Sequence, residues 1–372
     1  MALTVASGFT DKRSVRRVAV ALVCLYFAGC AGRSVPPPDS AAVPPPPPVL
    51  PQAAADLPRP ATAAPTIRVR FVERGEVVVR DVALEDYVRG TIVSEFAPAA
   101  GRPETVERML EVQAIVSRTY AAFNRGRHQR DGFDLCATTH CQLFEPGRLA
   151  TSRWAPSAAA AVERTAGVIV AFDGRPAQAI FHADCGGRTS GAADVWGGAA
   201  PAYLVSHSDE DAADAAHTTW TYRASADAAA IALNSDPRTR VAGPIVSIEV
   251  VERDSAGRAL RIAIRGRPMA DRPGGNETIV RGDVVRQILS NTFGARAIRS
   301  TLFDLHRDGA WLVFSGRGFG HGVGLCQAGA FARLKAGATP EDVLRYYYPG
   351  TIVGRGNRPT ATDVLTSLIR RP

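Results

Sequence analysis

The sequence predicts an α+β fold, with one large body of mixed helices and mostly antiparallel strands behind a disordered N-terminal spacer. Three observations predict it. Apolar–polar alternation and 3.6-residue apolar spacing both occur along residues 66–354, the first marking strands and the second helices. These segments succeed one another without the strand–helix–strand period of a doubly wound sheet. The composition, 46% hydrophobic and 22% charged over 372 residues, is that of a globular chain and excludes a fibre or wholesale disorder.

The elements follow in chain order. Ile67 to Val72 alternates, Arg74-Gly75 turns, and Glu76 to Arg80 returns, which reads as a hairpin. Leu84, Tyr87, Val88 and Thr91 have helical spacing. Pro103 to Phe123 is the longest helical stretch. Pro103, Glu104 and Glu107 lie near its start, and Val106, Met109, Leu110, Gln113, Ala114, Ser117 and Tyr120 fall on one face. Gly126 stops it. Residues 167–172, 245–251 and 259–264 read as strands, and 281–290 and 340–347 as helices. Residues 355–372 read as a loose tail.

Residues 1–29 are an address rather than a fold. Lys12, Arg13, Arg16 and Arg17 precede an apolar run from Val18 to Gly29, 12 residues long. A spanning helix needs roughly 20 residues, so the run fits a signal peptide. It closes on Phe27-Ala28-Gly29-Cys30, which resembles the lipobox of bacterial lipoproteins. That resemblance implies cleavage before Cys30, lipidation of Cys30 and a membrane anchor. The body then works outside the cytoplasm, where disulfides are permitted. Residues 30–65 form a spacer with 12 prolines between Pro36 and Pro65, five of them consecutive at Pro44 to Pro48. Extended at about 3.1 Å per residue, thirty such residues reach on the order of 90 Å. The net charge of +8 falls to +5 without the first 30 residues. A mildly basic body with no dense Lys/Arg stripe suits an anionic polymer or surface and argues against nucleic acid.

Four segments carry the candidate chemistry. Glu95 ends the apolar stretch Ile92-Val93-Ser94. A half-buried Glu has its pKa raised toward neutrality, the condition for donating a proton at working pH. Cys136, His140 and Cys141 lie within six residues, with His128 eight residues upstream of Cys136 as the nearest fourth ligand. Either they hold a structural zinc, or Cys136 and Cys141 bridge and the histidines are bystanders. His182-Ala183-Asp184-Cys185-Gly186-Gly187 follows a strand-like run. Gly316 to Gly324 surrounds His321 with glycines, and no Lys-Ser/Thr follows, which excludes a phosphate-binding P-loop.

Several segments together are similar to the stage II sporulation protein D (SpoIID/LytB) family, from about Val82 to Val353. They are Gln113 to Tyr120, Cys136 to Gln142, the two glycine-rich segments, Asp194-Val195-Trp196, Tyr203-Leu204 and Tyr347-Tyr348-Pro349-Gly350. The resemblance implies a peptidoglycan lytic transglycosylase that cuts the MurNAc–GlcNAc bond and leaves 1,6-anhydro-MurNAc ends. It implies Glu95 as catalytic acid/base and a zinc held by Cys136, His140, Cys141 and His128. Arg118, Gln142, His321 and Tyr347 are expected to position the glycan. Trp196 is either a sugar-stacking face or core. Asp184, Asp194 and Asp209 are the possible second carboxylates, ranked as structural. Where the family motifs usually carry Ser, this chain has Cys185 and Cys326. In an oxidising compartment that departure suggests a Cys185–Cys326 disulfide clamping the cleft. Phe96 after the catalytic Glu replaces the commoner Met. Two other readings compete: a non-catalytic peptidoglycan-binding module that enhances a cell-wall amidase, and a zinc hydrolase centred on Cys136, His140 and Cys141.

Overall fold

The computed structural model describes residues 65–96, 101–209, 218–267 and 276–355. The leader, Cys30, the spacer up to residue 64 and the tail beyond Arg355 lie outside the described residues. No described helix is long and apolar enough to cross a membrane.

The chain opens as an antiparallel hairpin, β1 (Thr66–Glu73) and β2 (Glu76–Ala83), in register from Thr66↔Ala83 to Glu73↔Glu76. Arg74 and Gly75 both take positive φ, 52° and 87°, so the turn twists with the strands. Two helices follow, α1 (Leu84–Glu95) and α2 (Pro103–Phe123). The two-residue β3 (Leu135–Cys136) lies parallel beside β1. Helices α3 (Arg148–Thr151) and α4 (Ala155–Arg164) lead to β4 (Val168–Phe172), β5 (Arg175–Pro176), β6 (Phe181–His182) and the short α5 (Ala192–Trp196).

The next stretch packs around a core of its own. It comprises β7 (Thr219–Ser225), α6 (Ala226–Ser235), β8 (Ile245–Arg253), β9 (Ala259–Gly266), β10 (Glu277–Arg281), α7 (Gly282–Phe293), β11 (Phe303–Asp308) and β12 (Trp311–Arg317). The strands form two three-stranded antiparallel sheets, β10-β9-β8 and β11-β12-β7. The chain then returns: β13 (Leu325–Cys326) pairs in parallel with β6, and α8 (Gln327–Lys335), α9 (Pro340–Tyr347) and β14 (Ile352–Arg355) complete the body. Strand β14 pairs antiparallel with β4 and takes in Arg355, the first residue of the stretch expected to be tail. The α+β expectation holds, with short sheets and mostly antiparallel strands.

Helix α2 organises the remaining two cores. Met109, Val112 and Val116 face a core shared with β4, α8 and α9, whereas Leu110, Ala114 and Ala121 face a core shared with β1, α1 and α4. The single face read from the sequence is therefore too narrow. A helix sandwiched between two layers is apolar nearly all round, and α2 is buried almost along its length.

One cation ties these layers together. Arg118 is 1% exposed. Its Nε and Nη2 donate to the Glu85 carboxylate at 2.9 and 2.6 Å, and Nη1 donates to the Val168 carbonyl at 3.0 Å. One side chain on α2 thus pins the start of α1 and the start of β4. Replacing it strands two acceptors and opens a hole. We expect Arg118→Met to cost about 2–4 kcal/mol in urea unfolding; a loss below about 0.5 kcal/mol would show that the strut carries no stability.

Candidate active site

Glu95 is the last residue of α1, and the site is built where that helix end meets residues 143–145. The Leu143 amide donates to Glu95 Oε1 at 2.6 Å. One residue earlier, Ser94 Oγ donates to the Gly90 carbonyl at 2.7 Å and accepts from the Glu145 amide at 2.9 Å. Phe144 packs its ring over Gly90, where a Cβ would enter the ring at 2.5 Å. Two adjacent helix residues and one missing Cβ therefore clasp the segment to α1.

Burial pushes the Glu95 carboxyl up to about 7, and the Leu143 amide offsets only part of this. Asp236, Glu249 and Asp342 move the other way, pulled down by Arg238, Arg265 and Thr339 respectively. Burial also pushes up the phenols of Tyr87 and Tyr120, the latter to about 12. Tyr87 donates its hydroxyl to Gln142 Oε1 at 3.1 Å. Gln142 is fully buried and its Nε2 has no partner, so an unspent donor lies one residue from the amide that holds Glu95.

The same loop brings His128, Cys136, His140 and Cys141 together, with one donor atom of each within 4.8 Å of all the others. His128 Nε2 lies 3.3 Å from Cys141 Sγ, and His140 Nδ1 lies 3.6 and 3.7 Å from the sulfurs of Cys136 and Cys141. Four such donors around one tetrahedral ion, with bonds of about 2.0–2.3 Å, would stand about 3.4–3.8 Å apart. The residues present therefore fit a zinc-sized cation. His128 Nδ1 faces Asp131 Oδ2 at 3.5 Å, and its ring stacks on Phe133. A carboxylate behind a metal-facing imidazole orients the ring. Asp134 fixes the loop by accepting from the amides of Arg68 and Gly126. Cys136 and Cys141 are free thiols here, so the local bridge is not formed.

Two expected glycan contacts are corrected. Arg118 is consumed by Glu85 and Val168, as described above. Tyr347 is fully buried, and its hydroxyl contacts both oxygens of Asp209 at 2.8 and 2.9 Å. Both residues hold the core together because their polar ends are spent inside it. His321 is half-buried and belongs to a second cluster. Its Nδ1 accepts from the Val323 amide, and its ring meets those of His182 and Trp196, each at 5.4 Å. Burial, then Arg286 and Arg258, push its imidazole down to about 3, so it is neutral at working pH. The cavity it lines measures about 20 Å³, room for one water and not for a sugar. Asp184 and Asp209 are buried within hydrogen-bond networks, and Asp194 is exposed on α5. Cys185 and Cys326 are neighbours but not bridged: both are free thiols, and the Cys185 amide donates to Cys326 Sγ at 3.2 Å. An open groove of about 680 Å³ lies elsewhere, between Trp220, Arg253, Asp304 and Arg317, away from the clasp residues.

Sequence reasoning missed the Leu143 amide, because any residue supplies one. It also missed Ser94, Asp131 and Asp134. The Asp131-Gly132 turn between His128 and Cys136 was the one available signal.

The α+β body thus combines a sheltered carboxyl at the end of α1, a Cys/His quartet and a module with its own core inserted before the last helices. Residues 73–172 match the SpoIID family, stage II sporulation protein, and residues 200–324 match a domain of unknown function, DUF8618. The first of these supports a likeness to the SpoIID family over that segment. An uncharacterized protein of Brachyspira hyodysenteriae is 28% identical over 283 residues, covering 76% of this chain and 69% of that protein. Stage II sporulation protein D of Bacillus subtilis is 26% identical over 291 residues, 75% of this chain and 76% of its own. An amidase enhancer of Bacillus subtilis is 25% identical over 296 residues, 71% of this chain but 40% of its own.

The raised Glu95 carboxyl has a stability consequence. A group whose folded pKa lies above its unfolded one contributes fully below about pH 4.5 and loses that contribution as pH rises through about 7. Glu95→Gln removes the charge, so the variant should match the parent at pH 4 and exceed it by about 1–3 kcal/mol at pH 8. Denaturant unfolding at the two pH values checks this, and an unchanged difference would place the carboxyl in water.

Proposed function

We propose that this chain is a lytic transglycosylase acting on peptidoglycan glycan strands, with Glu95 as its single acid/base. The observation that carries the reading is the sheltered Glu95 carboxyl, held by one amide and raised to about 7. Protonated, it donates to the glycosidic oxygen between MurNAc and GlcNAc. The departing sugar leaves an oxocarbenium-like C1. The same group, now carboxylate, takes the proton of the MurNAc C6 hydroxyl as that oxygen closes on C1, which gives the 1,6-anhydro end and restores the acid. Each transfer is worth on the order of 10²–10⁴ in rate. The nucleophile is already tethered to the reacting carbon, so effective molarity replaces an activated water. Hydrolysis would call for a second carboxylate, but Asp184 and Asp209 are spent in buried networks and Asp194 is exposed. Gln142 Nε2 is buried beside the Leu143 amide and has no partner, which supports a role for Gln142 in the site only if the loop opens on the glycan.

The quartet His128, Cys136, His140 and Cys141 would hold a structural zinc. Zinc bound there would supply rigidity to the loop that carries Gln142 and Leu143. The two thiols and two imidazoles already fill a tetrahedral set, which leaves no open position for a catalytic water. The same reading places the chain in the cell envelope, with Cys30 as lipid anchor and the proline-rich spacer as tether. The likeness to an amidase enhancer favours one other reading, a wall-binding module without cutting activity.

Mass spectrometry of products from defined glycan strands, with no amidase present, separates the two. We expect 1,6-anhydro-MurNAc ends from the parent, and from Glu95→Gln a loss of at least 10³-fold with folding intact. Glycan bound but uncut by the parent would establish the binding module. Because the protonated form starts the reaction, kcat/KM should fall as pH rises through about 7. A profile flat from pH 5 to 9 would remove Glu95 as the acid. Chelation with 1,10-phenanthroline should lower the melting temperature and, with it, activity, and added zinc should restore both. Activity lost at unchanged melting temperature would favour a zinc hydrolase instead.

A further inference from the structure

A second group of soft donors lies in the other core. His182 and Cys326 are register partners in the parallel pair β6–β13, and Cys185 follows three residues after His182. One ring nitrogen of His182 and the two sulfurs all lie within 4.8 Å of one another. The three residues are 4%, 0% and 0% exposed.

The surroundings are those of a metal site's outer shell. His182 Nδ1 lies 3.1 Å from the Val323 carbonyl, which only accepts, so Nδ1 carries the proton. Nε2 is then left with a lone pair, buried and without a partner. A ligating imidazole is commonly held this way, by a backbone carbonyl on its far nitrogen. Backbone amides aim at both sulfurs: those of Cys185 and Gly329 at Cys326 Sγ, and that of Gly187 at Cys185 Sγ. Arg258 is fully buried and donates Nη2 to the Cys185 carbonyl at 2.6 Å, while its Nε and Nη1 have no partner. Asp254 spends its oxygens on the amides of Ala256 and Arg258 and on the Ser190 hydroxyl. Asp209, which accepts from the Cys185 thiol, is paired with Arg333 and Tyr347.

We propose that His182, Cys185 and Cys326 form a second metal site, selective for Cu(I). Two thiolates and an imidazole are soft ligands, and three of them suit a monovalent d¹⁰ ion that does not demand four. Zinc at a closed site takes four ligands, and this buried cluster offers three. Charge points the same way. Two thiolates with Cu(I) carry −1 beside the buried guanidinium, whereas two thiolates with zinc carry none. Binding exchanges two thiol protons, released to solvent, for one cation, and no electron moves. The site and a Cys185–Cys326 disulfide exclude each other.

The test uses the full chain, zinc-loaded and reduced, titrated with Cu(I) in competition with bicinchoninate. Its control is the double variant Cys185→Ser, Cys326→Ser, which places serine where the related motifs usually carry it. Folding is checked by thermal melting. We expect the parent to take one more copper than the double variant while keeping its zinc, and His182→Gln, which retains both thiols, to bind that copper at least tenfold more weakly. Equal copper uptake by parent and double variant overturns the proposal, as does undiminished affinity in His182→Gln. A Cys185–Cys326 disulfide in the chain purified from the cell envelope without reductant overturns it too.

Discussion

The site depends on a contest between one hydrogen bond and one desolvation. The Leu143 amide stabilises the Glu95 anion, while the loss of water around the carboxyl favours the neutral acid, and the second effect wins. A single amide contact contributes on the order of 1.5–3 kcal/mol to a charged group, and several such donors would drag a carboxylate well below its ordinary range. The clasp supplies only one. Ser94 takes the neighbouring Glu145 amide, so that donor cannot reach the carboxylate.

Loop and helix are linked in series. The Cys/His quartet lies just ahead of Gln142 and Leu143, and the turn between Thr138 and Cys141 closes through a backbone bond of 2.9 Å. Asp134 ties the start of that loop to β1 and to Gly126 in the turn after α2. The amide that tunes the acid is thus referenced to two elements far apart in sequence. Metal-type donors serve the carboxyl through the backbone, without touching it.

Much of this was legible in the sequence where local rules govern. The hairpin with Arg74-Gly75, the α2 span from Pro103 and the α9 start at Pro340 follow from turn chemistry and capping, and all three match. The sheltering of Glu95 and the clustering of the quartet were legible because both follow from short stretches of sequence, an apolar run ahead of the Glu and four Cys/His within fourteen residues. Arg118 and Tyr347 were misread for the complementary reason. A polar side chain in a motif looks the same in sequence whether it faces a ligand or a buried partner 33 or 138 residues away. The double-sided burial of α2 was underread because one stripe was taken for the whole apolar surface, although Val112, Ile115 and Val116 carry it round the helix.

The return of the chain through β13 sets an order of assembly. His182 and Val323 are 141 residues apart in sequence, yet they meet at the edge of a strand pair only two residues long. Closing a loop of that length is entropically expensive and is rewarded only when both ends are already shaped. The intervening stretch brings its own core, from Trp220 to Phe314, and can consolidate first, shortening the effective excursion. Final docking of α8 and α9 then becomes the late event, and the folding chain would spend its longest vulnerable interval with that last seam open.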